Sequence, residues 1–134
     1  MTFDLIIIGS GAGGGTVAHA LAGHDAKVLV LERGDVIPQE PGNRDPEVVW
    51  RELRYRTKER WLDGDGREFV PYSHFNVGGN SKFWGSALFR LRPRDFEAVE
   101  HLDGTSPAWP ITSAELAPWY DRAERLYHVH GQAG

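Results

Sequence analysis

The sequence predicts an α/β fold, and three observations predict it. Two short, nearly continuous apolar runs, FDLIIIG at residues 3–9 and AKVLVLERG at residues 26–34, have the composition of strands buried on both faces of a parallel sheet. Between them lies GSGAGGGTVAHALAGH, whose small residues continue into a helical stretch ending near Gly23. Glu32 stands at the carboxyl end of the second run, about 20 residues beyond Gly11, the distance at which a βαβ unit places an acid beside a bound ribose.

The turn between the first strand and the helix carries Gly9, Gly11 and Gly14 as G-x-G-x-x-G, with Ser10, Ala12 and Gly13 between them. Each glycine has a physical task. Gly9 permits the tight turn off the strand, Gly11 lets backbone approach a pyrophosphate, and Gly14 lets the helix pack close to the sheet. Ala18, one helical turn beyond Gly14, keeps that face small. Free N–H groups and the positive end of the helix dipole would hold the phosphates, and Glu32 would accept hydrogen bonds from the ribose hydroxyls. The arrangement is Rossmann-like and fits the ADP half shared by FAD, NAD and NADP. Glu32 would repel a 2′-phosphate; Arg33 beside it would offset that repulsion.

Composition excludes several classes. A net charge of −4 and a pI of about 5.8 offer no broad positive field, which argues against nucleic acid as a partner. With no cysteine there is no disulfide framework, thiol nucleophile or thiolate metal site, in keeping with a reducing compartment. The longest strongly apolar run, Leu5-Ile6-Ile7-Ile8, falls far short of the ~20 residues of a membrane span. The start MTFDLIIIGSG lacks the basic and apolar regions of a signal peptide, so a cytoplasmic location is expected.

After Glu32 the pattern leaves the ordinary Rossmann course. DVIPQEPGNRDP at 35–46, with its prolines, reads as an irregular crossing segment, and EVVWRELRYRTKERWL at 47–62 reads as a helix with a partial apolar stripe. Its basic side chains, Arg51, Arg54, Arg56, Lys58 and Arg60, read as a solvated face. DGDG at 63–66 resembles the start of a calcium loop, but the EF-hand pattern is not completed, and a tight turn is expected. REFVPYS then reads as a strand interrupted by Pro71.

The loop VGGNSKFWG at 77–85 is the second informative stretch. Gly78 and Gly79 allow close backbone approach, Asn80 and Ser81 supply neutral hydrogen-bonding groups, Trp84 offers a flat apolar wall, and Gly85 closes the loop. Such parts suit the polar edge and flat face of a ring cofactor; a structural turn is the alternative. ALFRLRP follows as an extended segment, PRDFEAVEHL reads as a short helix with Pro93 at its start, and Thr112 with Glu115 forms a capping box. Pro118 is expected to open a last helix over 118–129, ended by Gly131.

Taken together, DLIIIGSGAGGGTVAHALA with VLVLERG, VGGNSKFWGSALFRLRPRDF and AWPITSAELAPWYDRAERLYHVHG resemble the amino-terminal part of the glucose-methanol-choline (GMC) oxidoreductases, in their sugar-oxidising, pyranose oxidase-like branch. The resemblance covers essentially the whole chain. It implies FAD as cofactor, an alcohol or sugar as substrate, and hydride transfer to the flavin. It assigns Gly9, Ser10, Gly11, Ala12, Gly13, Gly14, Glu32 and Arg33 to the ADP side. Gly78, Gly79, Asn80, Ser81, Trp84 and Gly85 fall to the pyrophosphate and flavin side. Pyranose oxidases place a flavin-linking histidine just before the tryptophan; that position is Phe83 here, so FAD is expected to be bound non-covalently.

The family's catalytic histidine lies near the carboxyl end of much longer chains, and none of the six histidines here occupies that context. His128 and His130 form an H-x-H with no third ligand in view, so neither a metal site nor a catalytic residue is assigned. Two parallel strands are fewer than a doubly wound sheet needs. The expectation is therefore an incomplete Rossmann-like FAD-binding region over residues 1–134, with helical and hairpin insertions, the other FAD strands and the substrate domain being absent. Such a chain would be inactive alone. The alternative is a non-catalytic nucleotide-binding or assembly module, completed by a partner chain or by its own copies through exposed sheet edges.

Overall fold

The computed structural model describes residues 1–83 and 87–131. The chain divides into two compact units, residues 1–85 and residues 86–134.

In the first unit, β1 (Leu5–Ile8) pairs in parallel with β2 (Val28–Leu31), in a register that sets Leu5 opposite Val28 and Ile8 opposite Leu31. Helix α1 (Ala12–Leu21) connects them. It stops two residues before Gly23, which takes φ +93°, a conformation that favours glycine. The βαβ order is as the sequence predicts. Burial on both faces is not: Ile7 is 8% exposed, whereas Ile6 and Ile8 are 53% and 86% exposed. The side chain of Ile7 faces the helix at Gly14. A two-stranded sheet covered by one helix protects only that side, so apolar residues alternate between shelter and solvent.

The expected helix over 47–62 is replaced by a single wide turn, Glu47–Arg51, in which Glu52 N–H donates to the Glu47 carbonyl at 2.8 Å. Adjacent Val48 and Val49 are its buried residues, and Leu53 at φ +54° ends the helical path. The physical reason is the short apolar stripe, which gives a longer helix nothing to bury. Trp61–Leu62 instead forms β3, antiparallel to β4 (Glu68–Phe69). DGDG is the turn between them: Asp63 Oδ1 accepts the N–H groups of Asp65 at 2.9 Å and Arg67 at 2.8 Å, and Gly66 sits at φ +79°. Several basic side chains of the segment find acids or carbonyls from elsewhere. Arg54 pairs with Glu40 at 3.4 Å, Arg60 with Glu68 at 2.7 Å, and Arg56 donates to the Val70 carbonyl at 2.6 Å.

In the second unit, Pro93–Phe96 forms one 3-10 turn rather than the start of a helix. β5 (Val99–His101) and β6 (Gly104–Ser106) then pair as a hairpin whose two-residue loop is Leu102-Asp103, with Gly104 at φ +143°. Gly104, at positive φ directly after the loop, lets the chain reverse, and this overrides the helical reading of PRDFEAVEHL. Among the described residues of this unit the buried one is Phe96, whose ring lies 6.2 Å from that of Trp109 and whose carbonyl accepts the Trp109 N–H at 3.0 Å.

Helix α2 (Ser113–Leu126) starts earlier than expected, because Thr112 and Glu115 cap it reciprocally: Thr112 Oγ1 accepts the Glu115 N–H at 3.2 Å, and Glu115 Oε2 accepts the Thr112 N–H at 2.7 Å. Pro118 therefore lies inside the helix instead of opening it. Its position near the amino-terminal end limits the disruption that a missing N–H causes deeper in a helix. The helix stops at Leu126, short of Gly131, and His128 beyond it takes φ +52°. Arg90 holds the exposed face by donating to Glu124 at 2.6 and 2.5 Å and to Asp121 at 2.6 Å.

Candidate dinucleotide-binding site

At the end of β1, Gly9 takes φ +93° and its N–H donates to the Leu31 carbonyl at 2.7 Å, which binds the first glycine turn to the tip of β2. Gly14 is packed so closely that a Cβ there would fall 1.9 Å from the Gly9 carbonyl oxygen. Gly13, by contrast, has nothing within 4 Å of a built Cβ, so one side of the helix start is open. Gly11 is the N-cap of α1, no side chain caps the helix, and its first turn holds no acid. An uncapped helix start of this kind favours an anion.

Glu32 joins this turn to the end of β2. Its Oε2 accepts Ser10 N–H at 2.8 Å and Ser10 Oγ–H at 2.6 Å; its Oε1 accepts Arg33 N–H at 2.8 Å and Gly34 N–H at 3.1 Å. The Ser10 hydroxyl first, then the Ser10 and Gly34 N–H groups, lower its pKa from the ordinary 4.5 to about 2 against the opposing effect of burial, with a smaller lowering from the Arg33 N–H. Glu32 is thus a carboxylate throughout the neutral range, able to accept hydrogen bonds from ribose hydroxyls in competition with Ser10.

The second glycine loop lies against the first. Asp35 and Asn76 form a parallel bridge, and Val77 N–H donates to the Asp35 carbonyl at 3.1 Å. The approach requires Gly34, where a Cβ would come within 2.0 Å of the Phe75 carbonyl oxygen. Gly78 N–H donates to Ser10 Oγ at 2.9 Å across 68 residues of sequence, and a Cβ on Gly79 would meet Gly11 Cα at 3.4 Å. Gly78 and Gly79 take φ of +92° and +59°. Ser10 is therefore the hinge pin of the arrangement, giving its proton to Glu32 and taking one from Gly78.

Asn80 turns inward. Its Oδ1 accepts the His74 N–H at 2.8 Å and lies 3.1 Å from His74 Nδ1, while Nδ2 donates to Ser73 Oγ at 3.4 Å. Ser81 lies exposed in the 3-10 turn Gly79–Phe83. Trp84 and Gly85 lie outside the described residues. Phe83 stacks on His74 at 4.1 Å and on Tyr55 at 5.5 Å. Tyr55 in turn donates to Glu40 at 2.7 Å, lowering the Glu40 pKa and raising its own.

Sequence reasoning did not single out His74 and Asn76, which are 5% and 4% exposed and support the loop from beneath. Their signal was present in SHFN, two polar side chains at alternate positions before the paired glycines. His128 and His130 line an open surface recess with Asp121, Glu124 and Arg125. Among the described residues there is no group of three or more metal-ligating side chains, and no helix long and apolar enough to cross a membrane.

The family described as NAD(P)-binding Rossmann-like domain matches residues 7–38, the segment just built around Gly9 to Glu32. Relatives extend the likeness over nearly the whole chain. The 6'''-hydroxyparomomycin C oxidase of Streptomyces lividus is 36% identical over 132 residues, which is 96% of this chain and 23% of that protein. The paromamine 6'-oxidase of Streptomyces fradiae is 36% identical over 96% of this chain and 24% of its own length. The 2-methyl-1,2-propanediol dehydrogenase of Mycolicibacterium austroafricanum is 36% identical over 98% of this chain and 25% of its own. These relatives are GMC-type oxidoreductases.

A crystal structure of pyridoxine 4-oxidase from Mesorbium loti superposes with a TM-score of 0.54 at 27% identity, over 72% of this chain and 20% of that one. The chain spans about a quarter of the length of the curated relatives it matches. Residues 7–38 are Rossmann-like, a parallel strand pair beginning a βαβ unit. A dinucleotide is the cofactor class that this start accommodates.

Proposed function

We propose that this chain is the FAD-binding region of a GMC-type oxidoreductase that oxidises an alcohol group of a sugar or another alcohol. The observation that carries the reading is the apposition of the two glycine loops, Gly78 N–H on Ser10 Oγ and Gly79 against Gly11, where side chains would close the approach that a diphosphate needs. The open start of α1 and the ionised Glu32 support the same reading from the phosphate and ribose sides.

FAD would supply the hydride acceptor; the residues of this chain bind and orient. Gly9, Ser10, Gly11, Ala12, Gly13 and Gly14 would offer backbone to the diphosphate, and Glu32 would take the ribose hydroxyls with Arg33 at its flank. Gly78, Gly79, Asn80, Ser81, Trp84 and Gly85 would form the side toward the flavin, with Asn80 acting through His74 and Ser73 to fix the loop. Phe83 offers no nucleophilic atom, so the cofactor would be held non-covalently. Titration of the purified chain with FAD, followed by flavin fluorescence, tests the reading: binding in the micromolar range or tighter is expected, lost in Gly11→Val.

A second reading, a module completed by a partner chain or by its own copies, is favoured by the exposure of Ile6, Ile8 and Leu31 along the sheet. Light scattering separates the two: a colourless, stable oligomer without affinity for FAD would favour the module. Residence in the cytoplasm belongs to the same proposal.

A further inference from the structure

Glu32 and Arg33 are adjacent, so sequence alone leaves open whether the end of β2 repels a ribose 2′-phosphate through the acid or admits it through the cation. The geometry of Arg33 bears on this. Its Nη2 lies 2.7 and 2.6 Å from the two carboxylate oxygens of Glu59. Its guanidinium carbon lies 3.9 Å from the centroid of the Phe75 ring, and Phe75 stacks on Trp61 with centroids 6.3 Å apart and planes 19° from parallel. Glu59 is itself placed by its N–H, which donates to Thr57 Oγ1 at 3.1 Å just before β3.

Arg33 is therefore held from two directions, by opposite charge and by an aromatic face. The Glu32 carboxylate receives its bonds from Ser10, from Gly34 N–H and from Arg33's backbone, not from the guanidinium. We propose that Glu59 is a specificity-determining residue: by pairing with Arg33 over the Phe75 ring, it withholds the neighbouring cation from the end of β2. The site thereby favours dinucleotides whose adenosine ribose carries a free 2′-hydroxyl. This inference rests on the dinucleotide-binding reading and adds to it which ribose is accepted and by what means.

The pair is half exposed, with side chains at 54% and 47%, so the effect of releasing Arg33 is modest, about threefold in an equilibrium constant. Calorimetric titration of the full chain with ADP and with adenosine 2′,5′-bisphosphate, at fixed low salt, reads it directly. The wild-type chain is expected to prefer ADP. Glu59→Gln should tighten adenosine 2′,5′-bisphosphate about threefold while leaving ADP unchanged, and Glu59→Gln combined with Arg33→Met should return the preference to the wild-type value.

An unchanged ratio in Glu59→Gln, a gain that survives the loss of Arg33, or equal binding of both nucleotides by the wild-type chain overturns the inference alone. Failure of the wild-type chain to bind ADP overturns the dinucleotide reading, and the inference falls with it. Both side chains lie at the surface, so neither substitution removes a buried contact.

Discussion

The two glycine loops of the first unit reach the same place by different means. The Gly9–Gly14 turn is positioned by regular structure: a parallel ladder on one side, a helix on the other, and Gly14 packed against Gly9. Among the described residues, the loop at 77–83 has no ladder beneath it beyond the Asp35–Asn76 bridge. It is fixed by side-chain bonds, Ser10 to Gly78, Asn80 to His74 and Ser73, and by the Phe83, His74 and Tyr55 rings. Backbone periodicity writes the first loop into the sequence, whereas the second depends on which side chains meet across long separations. Substitutions should accordingly damage the first loop by collision and loosen the second by degrees.

The largest effect is expected from Gly14→Val. Any Cβ there meets the Gly9 oxygen at 1.9 Å, and the displacement of α1 from the sheet should cost about 3 kcal/mol or more, read as a fall in Tm with loss of nucleotide binding. Gly34→Ala comes next. Its methyl would overlap the Phe75 carbonyl at 2.0 Å, so the second loop should separate from the first, with amide exchange at Val77 and Gly78 rising together. A βαβ segment that loosens as much as the second loop in Gly34→Ala would contradict the claim that regular structure positions the first loop.

Ser10→Ala should be milder: it removes the Gly78 N–H bond to Oγ and the Oγ–H bond to Glu32, about 2 kcal/mol together at a part-buried site, with faster exchange of the Gly78 amide and the backbone bond from residue 10 to Glu32 retained. In the second unit, Thr112→Ala removes the α2 cap and should cost about 1 kcal/mol by chemical denaturation, leaving nucleotide affinity unchanged.

The pH dependence is the subtlest of these effects. The Glu32 pKa is lower in the folded chain than its ordinary 4.5, at about 2. Folding therefore favours the carboxylate, and the contribution is complete above about pH 4.5 and lost as the pH falls through about 2. Glu32→Gln should flatten that acid limb, as an acid titration followed by circular dichroism would record.

What could be read from the sequence divides along the same line. The βαβ start, the place of Glu32 just beyond β2, the DGDG turn and the Thr112 cap were legible because each depends on residues close in sequence and on glycine or capping chemistry. The helix expected at 47–62 failed because its stripe buried only Val48 and Val49, and Leu53 turned the chain. The strand at 99–101 was hidden by a run that is also compatible with helix, and Gly104 decided it. Burial of β1 on both faces failed for a different reason: alternation of Ile6, Ile7 and Ile8 between solvent and α1 follows from which layers are present, which no local pattern records. At the site, the proximity of Gly78 to Ser10 and of Glu59 to Arg33 spans 68 and 26 residues, beyond the reach of periodicity.

The most direct test of the central claim is the absorption spectrum of the purified chain after incubation with FAD and gel filtration, taken before and after denaturation. Flavin absorbance that travels with the folded chain and is released on denaturation is the predicted result. A chain that emerges colourless would contradict the claim that these two loops bind FAD, and colour that stays with the denatured chain would contradict the non-covalent reading drawn from Phe83.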